Sequence, residues 1–405
     1  MTRRPTVLFV HYTFPGVVGG VETVIGHHAR GMAQHAQVAV MAGRGPIGVR
    51  GLRAVRVPLL DSLHPRIVAA GRAALDDRAR LAFAELQASI EAAIRPVIAD
   101  ADRVVLHNVA TMSLNMPLVA ALHALAPGLP QDRLVVWVHD LAAALDMGAH
   151  GAEDDPWRLL GRPLPGARYV AVSEQRRAAT ATTLGLAPET ITVVPNGVDL
   201  AGVLRLSRTN AALIDRLGLA AADPLLVLPA RLVRRKRIEL AVDAAGILRD
   251  RGRHARLVVT GGPDPHDPDG AAYLGELRLR VAAGGDRDVL LVDEIGRSAD
   301  ARLVADLYAL ADALVLPSAS EGFGLPMLEA ALARLPIVCT DLAVLREVVG
   351  PAATFVPLDG DASAFADAIE QAIELAPGEG LAGRVRRASD WSRIVPEQVV
   401  PAIMG

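Results

Sequence analysis

The sequence predicts an α/β fold built from two doubly wound, parallel-sheet domains. Short apolar, β-branched runs alternate along the chain with Ala-, Leu- and Arg-rich stretches of helical character. This alternation is typical of parallel sheets that are covered by helices on both faces. The series of strand-like runs starts again after the turn signal Asp223-Pro224. The 405 residues, of which 51% are hydrophobic, are enough for two buried cores.

The predicted elements follow in order along each half of the chain. In the first half, strands are expected at residues 6–11, 37–43, 54–59, 103–108, 134–140, 169–174 and 191–196. In the second half, strands are expected at residues 225–231, 256–262, 289–294, 313–318, 336–341 and 354–358. We therefore divide the chain into domains at 1–200 and 201–385, followed by a C-terminal helix at 386–405 that packs back toward the first domain.

Three further segments have helical patterns. Residues 203–217 predict a helix between the two domains, and the tail after Asp390 predicts another. The long amphipathic stretch 63–98 mixes Arg with Asp and Glu, which favours a core-packing helix over a basic helix on a membrane surface.

Composition narrows the class of protein. A net charge of −3 gives no basic field for nucleic acid, and no apolar run approaches the ~20 residues of a membrane span. The N-terminus lacks the apolar core of a signal peptide. The single cysteine, Cys339, reads as a packed thiol in a buried strand. We therefore expect a cytoplasmic protein with at most peripheral membrane contact.

A basic segment follows the first strand of the second half. Arg231 stands where this strand ends, and Lys236, near the start of the next helix, is the single lysine among 42 basic residues. Such a position suits a compact ammonium that arginine cannot replace. A strand-end arginine and a helix-start lysine can converge on one anion, aided by the helix N-terminus. The alternative is a basic surface turn.

An acidic and glycine-rich loop follows the strand at 313–318. Gly322 and Gly324 allow close approach of a ligand to the backbone, and Pro326 suits the first turn of a helix. Glu321 lies on the loop and Glu329 about one turn into the helix. Acidic groups beside a phosphate are favourable where they meet hydroxyls or a developing cation, and sugars offer both. The alternative is that both are surface charges.

These segments together resemble the retaining glycosyltransferases of family 4, which have the GT-B fold. Glu321 and Glu329 flank Gly-Phe-Gly-Leu like that family's E-x7-E motif. Four further segments match in the family's order: Gly19-Gly-Val-Glu22, Trp137-Val-His139-Asp140, Val194-Pro-Asn-Gly-Val-Asp199, and Ala230-Arg231-Leu232 followed by Lys236. The resemblance spans essentially the whole chain.

The resemblance implies roles for the matching residues on the donor side. Arg231 and Lys236 would bind the donor diphosphate, Glu329 the ribose, and Glu321 the donor sugar near its reacting carbon. The backbone at Phe323, Gly324 and Leu325 would support the phosphates and sugar. His139 would contact an outer hydroxyl of the sugar, and Gly19 and Gly20 would line the boundary between donor and acceptor. The catalytic set would be Glu321, His139, Arg231 and Lys236.

The first domain would hold the acceptor in a cleft between the domains. Glu22 is a candidate for orienting the acceptor, with a charge in the first helical turn as the alternative. His107, near a strand end, is a candidate for facing the same cleft.

The implied reaction is transfer of a hexosyl group, with retention, from a UDP- or GDP-sugar to a hydroxyl of a small molecule, glycan or lipid-linked acceptor. Neither a metal nor another cofactor is expected. In the Pro-rich loop 260–270, Asp264, Asp267 and Asp269 leave three interpretations open: a metal site, a pocket-shaping loop and a surface turn. The sequence also departs from the family after Asp341, where many relatives carry paired glycines.

Other functions fit less well. The N-terminal glycines have the spacing G-x-x-G-G, and no acidic residue follows the second strand, which disfavours an NAD-dependent oxidoreductase. A phosphorylase using pyridoxal phosphate would need a lysine for a Schiff base, but the single lysine, Lys236, is already assigned to the diphosphate. A nucleotide-sugar epimerase or hydrolase of the same fold, or a non-catalytic nucleotide-sugar-binding module, are the remaining alternatives.

Overall fold

The computed structural model describes residues 3–72, 77–142, 156–263, 269–284, 289–291 and 300–405. The chain forms two compact units. The first comprises Met1–Gly197 together with Trp391–Gly405, and the second comprises Val198–Asp390.

The first unit is built on a parallel sheet. Its strands are β1 (Thr6–Val10), β2 (Gln37–Ala42), β3 (Arg53–Arg56), β4 (Arg103–His107), β5 (Leu134–Val138), β6 (Arg168–Ala171) and β7 (Ile191–Val193). Within the described ranges, the order across the sheet is β3-β2-β1-β4-β5-β6-β7, and each neighbouring pair is parallel. Its helices before Gly197 are α1 (Gly20–Met32), α2 (Pro65–Arg72), α3 (Asp77–Ala99), α4 (Met116–Leu125) and α5 (Glu174–Leu184).

The second unit repeats this plan with a smaller sheet. Its strands are β8 (Leu225–Leu228), β9 (Arg256–Val259), β10 (Val289–Leu291), β11 (Ala313–Leu316), β12 (Ile337–Thr340) and β13 (Thr354–Val356). In the part of the chain that is described, they pair in parallel in the order β10-β9-β8-β11-β12-β13. Its helices are α6 (Leu200–Val203), α7 (Arg208–Arg216), α8 (Ile238–Asp250), α9 (Gly270–Gly284), α10 (Ala301–Leu310), α11 (Leu325–Leu332), α12 (Ala343–Val349), α13 (Ala362–Glu374) and α14 (Pro377–Ala388).

The C-terminal tail belongs to the first unit. Helix α15 (Trp391–Ile394), a π-helical turn (Val395–Val399) and helix α16 (Val400–Met404) follow one another without a break. The turn packs so closely on α1 that a Cβ added at Gly31 would lie 2.4 Å from Val395 Cγ1. Arg103 and Arg168 donate to the carbonyl oxygen of Ile403. The tail thus packs against the inner strands of the seven-stranded sheet.

Continuous apolar runs form the centres of both sheets. Every residue of β5, β8, β11 and β12 is buried, because helices cover both faces of a doubly wound sheet. The predicted fold class of two Rossmann-like α/β domains is confirmed, and each predicted run overlaps a strand. Among the residues that the structure describes, every helix is too short or too polar to cross a bilayer.

The predicted helix at 203–217 was wrong in its extent. Helix α6 ends at Val203, and α7 begins only at Arg208. Between them Arg205 adopts a left-handed conformation with φ 54°, which stops a right-handed helix. The Ser207 side chain then caps α7 by accepting from the Asn210 N–H at 3.2 Å. In the stretch 63–98, α2 and α3 lie on either side of residues 73–76, which are outside the described ranges.

A buried ion pair fastens α14 to the six-stranded sheet. Asp312, just before β11, and Arg386 of α14 are each 4% exposed. The Arg386 guanidinium donates to the Asp312 carboxylate. The same guanidinium donates to the carbonyl oxygens of Leu219, Ala220 and Ala222 at 3.0–3.1 Å. Burial raises the pKa of Asp312, and the Arg386 guanidinium opposes that rise.

Replacing Arg386 with alanine is expected to destabilise the second unit by about 3–5 kcal/mol, because it leaves a buried carboxylate without its partner. Urea unfolding followed by circular dichroism measures the loss. Arg384→Ala is the matched control, since Arg384 lies exposed on the same helix. Equal unfolding of the two variants would contradict the role assigned to the pair.

Candidate functional site

Each sheet has a point at which the chain reverses the direction of strand addition. In the six-stranded sheet this point lies between β8 and β11, and in the seven-stranded sheet it lies between β1 and β4. Loops diverge there at the carboxyl ends of the strands, which makes this the place where doubly wound folds bind ligands. The predicted site residues of each unit gather at its own switch point.

In the second unit, Lys236 lies at the end of a short 3-10 turn, Arg234–Lys236, that follows β8. Its side chain is 13% exposed, and Nζ lies 2.5 Å from Oε1 of Glu321, whose side chain is 8% exposed. Arg234 pairs with Glu276 and Arg237 donates to the Leu358 carbonyl oxygen. The Arg235 guanidinium lies 3.7 Å from Glu321 Oε2, but its side chain is 53% exposed. Lys236 is therefore the basic residue of this turn that the fold directs inward.

Residues of the loop after β11 also hold the Glu321 side chain in place. Ser318 is fully buried, and its hydroxyl donates to Glu321 Oε1 at 2.6 Å. The two loops are also joined by their backbones, because the Ala319 N–H donates to the Arg235 carbonyl oxygen at 2.7 Å. The Arg235 guanidinium donates to the Ser320 carbonyl oxygen at 3.0 Å. The carboxylate and the ammonium are thus fixed relative to each other.

The glycine-rich turn leads from this loop into α11. Gly324 adopts φ 99°, a left-handed conformation that favours glycine, and a Cβ there would also approach Leu345 Cδ2 to 2.8 Å. Phe323 and Leu325 on either side are 53% and 62% exposed. Gly324 itself is buried, between these two exposed side chains.

A pocket of about 690 Å³ lies beside this turn. Arg231 lines it from the end of β8, and Glu329 lines it from α11. Tyr308 of α10 lies behind Glu329, and its hydroxyl donates to Glu329 Oε2 at 3.0 Å. At the end of β9, a Cβ added to Gly261 would lie 2.0 Å from the Ala230 carbonyl oxygen, so only glycine allows these two strand ends to approach so closely. Arg231 and Glu329, which belong to two separately predicted groups, thus line one cavity.

In the first unit, four histidines gather near the carboxyl ends of β1, β4 and β5. The His11 Nδ1 lies 2.9 Å from the His107 carbonyl oxygen and therefore donates to it. The His107 Nδ1 and the His139 Nε2 are 2.9 Å apart, and His28 of α1 packs 5.6 Å from His107 between ring centroids. The cluster is buried, with only His139 reaching 8% exposure.

Burial determines the charge of these rings. It lowers the pKa of His139 to about 4 and that of His28 to about 3, and it lowers the pKa of His107 well below its usual range. His28, His107 and His139 are therefore neutral at pH 7, each with one nitrogen that donates and one that accepts. His139 can offer a ligand a hydrogen bond but no charge.

The structure corrects the assignment of His107 to acceptor contact. Its side chain is completely buried behind His139, so it cannot touch an acceptor directly. Asn108, which the sequence reasoning passed over as a site residue, clamps the neighbouring loop instead. Its Oδ1 accepts from the backbone N–H groups of His139 and Asp140 at 2.8 and 3.0 Å. The only sequence signal was its position after a strand at the switch point.

Glu22 lies in the first turn of α1 and is held by its neighbours. Its Oε1 accepts from the Thr13 hydroxyl at 2.5 Å and lies 3.6 Å from His11 Nε2. The hydrogen bond to His11, followed by that to Thr13, lowers the pKa of Glu22 to about 2 despite partial burial. Gly19 sits directly over this carboxylate, whereas a Cβ at Gly20 would meet no atom within 4 Å.

The predicted metal interpretation of loop 260–270 falls largely outside the described residues. Asp264 and Asp267 are not described, whereas Asp269 precedes α9. In the described ranges, no group of three or more His, Cys, Asp or Glu side chains is arranged to hold a metal ion. The family departure after Asp341 leads into α12, and Arg346 of that helix pairs with Asp341 at 2.5 Å.

Two family models match consecutive parts of the chain. The model described as "Glycosyltransferase Family 4" matches residues 18–201, and the one described as "Glycosyl transferases group 1" matches residues 223–374. Together they span most of the sequence and contain both groups of site residues. The chain belongs to glycosyltransferase family 4.

Curated relatives agree with this family. A D-inositol 3-phosphate glycosyltransferase of Nocardia farcinica is 30% identical over 58% of this chain and 52% of its own length. The protein of the same name from Actinosynnema mirum is 34% identical over 51% of this chain and 50% of its own length. The chain thus spans about half the length of the curated relatives it matches. Among solved structures, Anabaena HepE in complex with UDP and glucose is 17% identical over 98% of each chain, with a TM-score of 0.36.

Substitutions at Gly19 and Gly20 form a matched pair that tests how Glu22 is held in this family 4 chain. A Cβ at Gly19 would lie 2.1 Å from Glu22 Oε2, so Gly19→Ala must displace the carboxylate from Thr13. We expect a loss of about 1–3 kcal/mol in the free energy of unfolding, and little change for Gly20→Ala. Tryptophan fluorescence during urea unfolding reports on this unit, because Trp137, Trp157 and Trp391 all belong to it. Equal stability of the two variants would show that Glu22 is not fixed as described.

The buried His28 predicts a pH dependence of stability in the same unit. In the unfolded chain a histidine binds a proton near pH 6.5, whereas His28 stays neutral down to about pH 3. The unfolded state therefore binds more protons between these values, and stability falls as the pH decreases from 6.5. His28→Phe removes up to about 2 kcal/mol of the loss between pH 6.5 and pH 5.

Fluorescence-monitored unfolding at pH 7 and pH 5 measures this effect as the difference between variant and wild type. His35→Phe is the control, since His35 lies exposed. If His28→Phe and wild type lost the same stability on acidification, His28 would not be held neutral by burial.

Proposed function

We propose that this chain is a retaining hexosyltransferase that takes its sugar from a UDP- or GDP-sugar and passes it to an acceptor hydroxyl. The observation that carries the proposal is the convergence in the second unit. Arg231 and Glu329 share one pocket, and the inward-facing Lys236 is joined to Glu321 beside it. The resemblance to family 4 implies donor binding for these four residues, and all of them lie within the range that matches the family model.

The chemistry of glycosyl transfer suits these groups. Breaking a bond between a sugar and a diphosphate places negative charge on the leaving oxygen and positive charge on the sugar ring. Arg231 and Lys236 stabilise the first, and each such group contributes up to about 3–4 kcal/mol. The carboxylate of Glu321, fixed by Ser318 and Lys236, stabilises the positive charge that develops on the sugar. Glu329 accepts hydrogen bonds from the ribose hydroxyls.

The first unit contributes the remaining contacts in this proposal. His139 binds an outer hydroxyl of the donor sugar as a neutral ring, and Glu22 with Gly19 and Gly20 borders the acceptor. The hydroxyl paired with Glu321, that of Ser318, is fully buried, so we do not propose it as a nucleophile. We therefore favour attack on the same face of the sugar from which the diphosphate leaves, without a covalent intermediate and without a metal.

The acceptor in this proposal is a compound that carries a free hydroxyl group. The relatives from Nocardia farcinica and Actinosynnema mirum are named for D-inositol 3-phosphate, so this polyol phosphate belongs in the first acceptor panel. Glycans and lipid-linked sugars form the other arms.

A donor screen tests the proposal. The protein is incubated with UDP-, GDP-, ADP- and dTDP-sugars, with each acceptor and with EDTA, and release of nucleoside diphosphate is measured. One donor is expected to turn over in EDTA, and Lys236→Ala or Glu321→Ala should reduce its turnover by roughly 100-fold or more. Turnover should also be low in Lys236→Arg, because the longer, planar guanidinium does not fit the nearly buried ammonium position.

Arg234→Ala is the matched control, since Arg234 lies on the same turn but pairs with Glu276 at the surface. The absence of both release and binding for every donor would contradict the proposal. Donor binding without turnover in any acceptor arm would favour the alternative of a non-catalytic nucleotide-sugar-binding module.

A further inference from the structure

Tyr308 is a buried phenol that the sequence analysis did not identify. It lies on α10, is 5% exposed, and packs in the core of the six-stranded unit. Its hydroxyl reaches the lining of the pocket that also contains Arg231 and Glu329. The ring is therefore fixed by packing while its polar end is presented to the cavity.

The direction of its hydrogen bond is determined by the acceptors around it. The Tyr308 oxygen lies 3.0 Å from Glu329 Oε2 and 3.5 Å from the Pro326 carbonyl oxygen. The carboxylate is both nearer and charged, so it takes the proton. Burial, followed by this hydrogen bond, raises the pKa of Tyr308. The phenol thus remains a donor throughout the physiological pH range.

Glu329 depends on this contact for its orientation. It is an exposed residue on α11, and an exposed glutamate side chain samples several rotamers. Among the residues that the structure describes, Tyr308 is the hydrogen-bond partner of its carboxylate. One oxygen is therefore anchored, and the remaining lone pairs are directed into the pocket. A carboxylate held in this way can accept from two neighbouring hydroxyls at once.

We propose that Tyr308 is a positioning residue that fixes the Glu329 carboxylate and thereby sets a preference for ribonucleoside over deoxyribonucleoside diphosphates. The inference rests on the proposed function, in which Glu329 binds the ribose. Tyr308 itself does not touch the nucleotide. By holding Glu329 in place before the nucleotide binds, Tyr308 removes the entropic cost of ordering this side chain. Hydrogen bonds to two ribose hydroxyls offset that cost, whereas a deoxyribose, which lacks one hydroxyl, offsets it only in part.

Tyr308→Phe isolates this contribution, because it deletes one hydroxyl and keeps the buried ring. Titration calorimetry compares UDP with 2′-deoxy-UDP and GDP with 2′-deoxy-GDP. Wild type is expected to bind the ribonucleotide more tightly, and Tyr308→Phe to weaken it roughly two- to tenfold with a smaller effect on the deoxy form. Glu329→Ala should abolish the preference, and adding Tyr308→Phe to it should cause no further change. Glu329→Asp, which withdraws the carboxylate from Tyr308 by one methylene, should reproduce the effect of Tyr308→Phe.

Tyr273→Phe is the matched control. Tyr273 is another buried phenol of the same unit, 3% exposed, which donates to the Glu239 carboxylate away from the pocket. Because the Tyr273 hydroxyl also accepts the Ile238 N–H at 2.9 Å, Tyr273→Phe should destabilise the unit at least as much as Tyr308→Phe. It should leave the ratio between ribo- and deoxyribonucleotide affinities unchanged.

The outcomes separate this inference from the function on which it rests. If Glu329→Ala removes the preference while Tyr308→Phe and Glu329→Asp leave it intact, the positioning role is wrong and the proposed function stands. If wild type binds neither UDP nor GDP, or if Glu329→Ala leaves the preference unchanged, the proposed ribose contact itself is wrong. An equal loss of selectivity in Tyr273→Phe would show that the effect arises from general loosening of the unit.

Discussion

The parallel direction of the strands is the constraint on which both groups of site residues depend. Every pair in the two sheets runs parallel, so the carboxyl ends of the strands within each sheet lie along one edge. Each unit also reverses its strand order once, next to β1 or β8, and the loops on either side of that reversal diverge. Residues far apart in sequence, such as Lys236 and Glu321, meet because their loops leave adjacent strands at this point.

The pair formed by Lys236 and Glu321 couples two roles that are usually described separately. Lys236 acts on the leaving diphosphate and Glu321 on the sugar in the proposed reaction, yet the two groups lie 2.5 Å apart and are both largely shielded from water. Removing Glu321 leaves the largely buried Lys236 ammonium without this partner, whereas removing Lys236 leaves Glu321 with the exposed Arg235 guanidinium at 3.7 Å and the Ser318 hydroxyl. Their contributions to turnover are therefore not expected to be additive. Ser318 belongs to the same unit of function, because it anchors the carboxylate that the ammonium meets.

The first unit uses burial rather than charge to prepare its groups. Removal from water keeps His28, His107 and His139 neutral, while Glu22 stays ionised through its contacts with His11 and Thr13. Neutral imidazoles recognise hydroxyls by direction, since each ring nitrogen is either a donor or an acceptor. The carbonyl contact of His11 and the bond between His107 and His139 fix those directions from inside the fold.

The sequence by itself determined the strands, the fold class and the family. Apolar runs such as Leu134–Val138 are buried on both faces, so their pattern carries the signal directly. The extent of the helices was less accessible: the break at Arg205 follows from a left-handed backbone conformation that residue type does not announce. The chemistry of Arg231, Lys236, Glu321 and Glu329 was readable because charged groups in glycine-rich strand-end loops have few structural reasons to be there.

Only the tertiary structure decided which of these groups touch and which are hidden. His107 was a candidate for facing the cleft from its strand-end position, but its side chain is completely buried and packs against Phe9 and His28. Tyr308 looked like an ordinary core residue of a helix, and its hydroxyl proved to hold Glu329 from a position 21 residues away. Local sequence determines the period of an element and the chemistry of its side chains. Burial and long-range hydrogen bonds depend on how elements distant in the chain pack together, and so they become visible only in the folded protein.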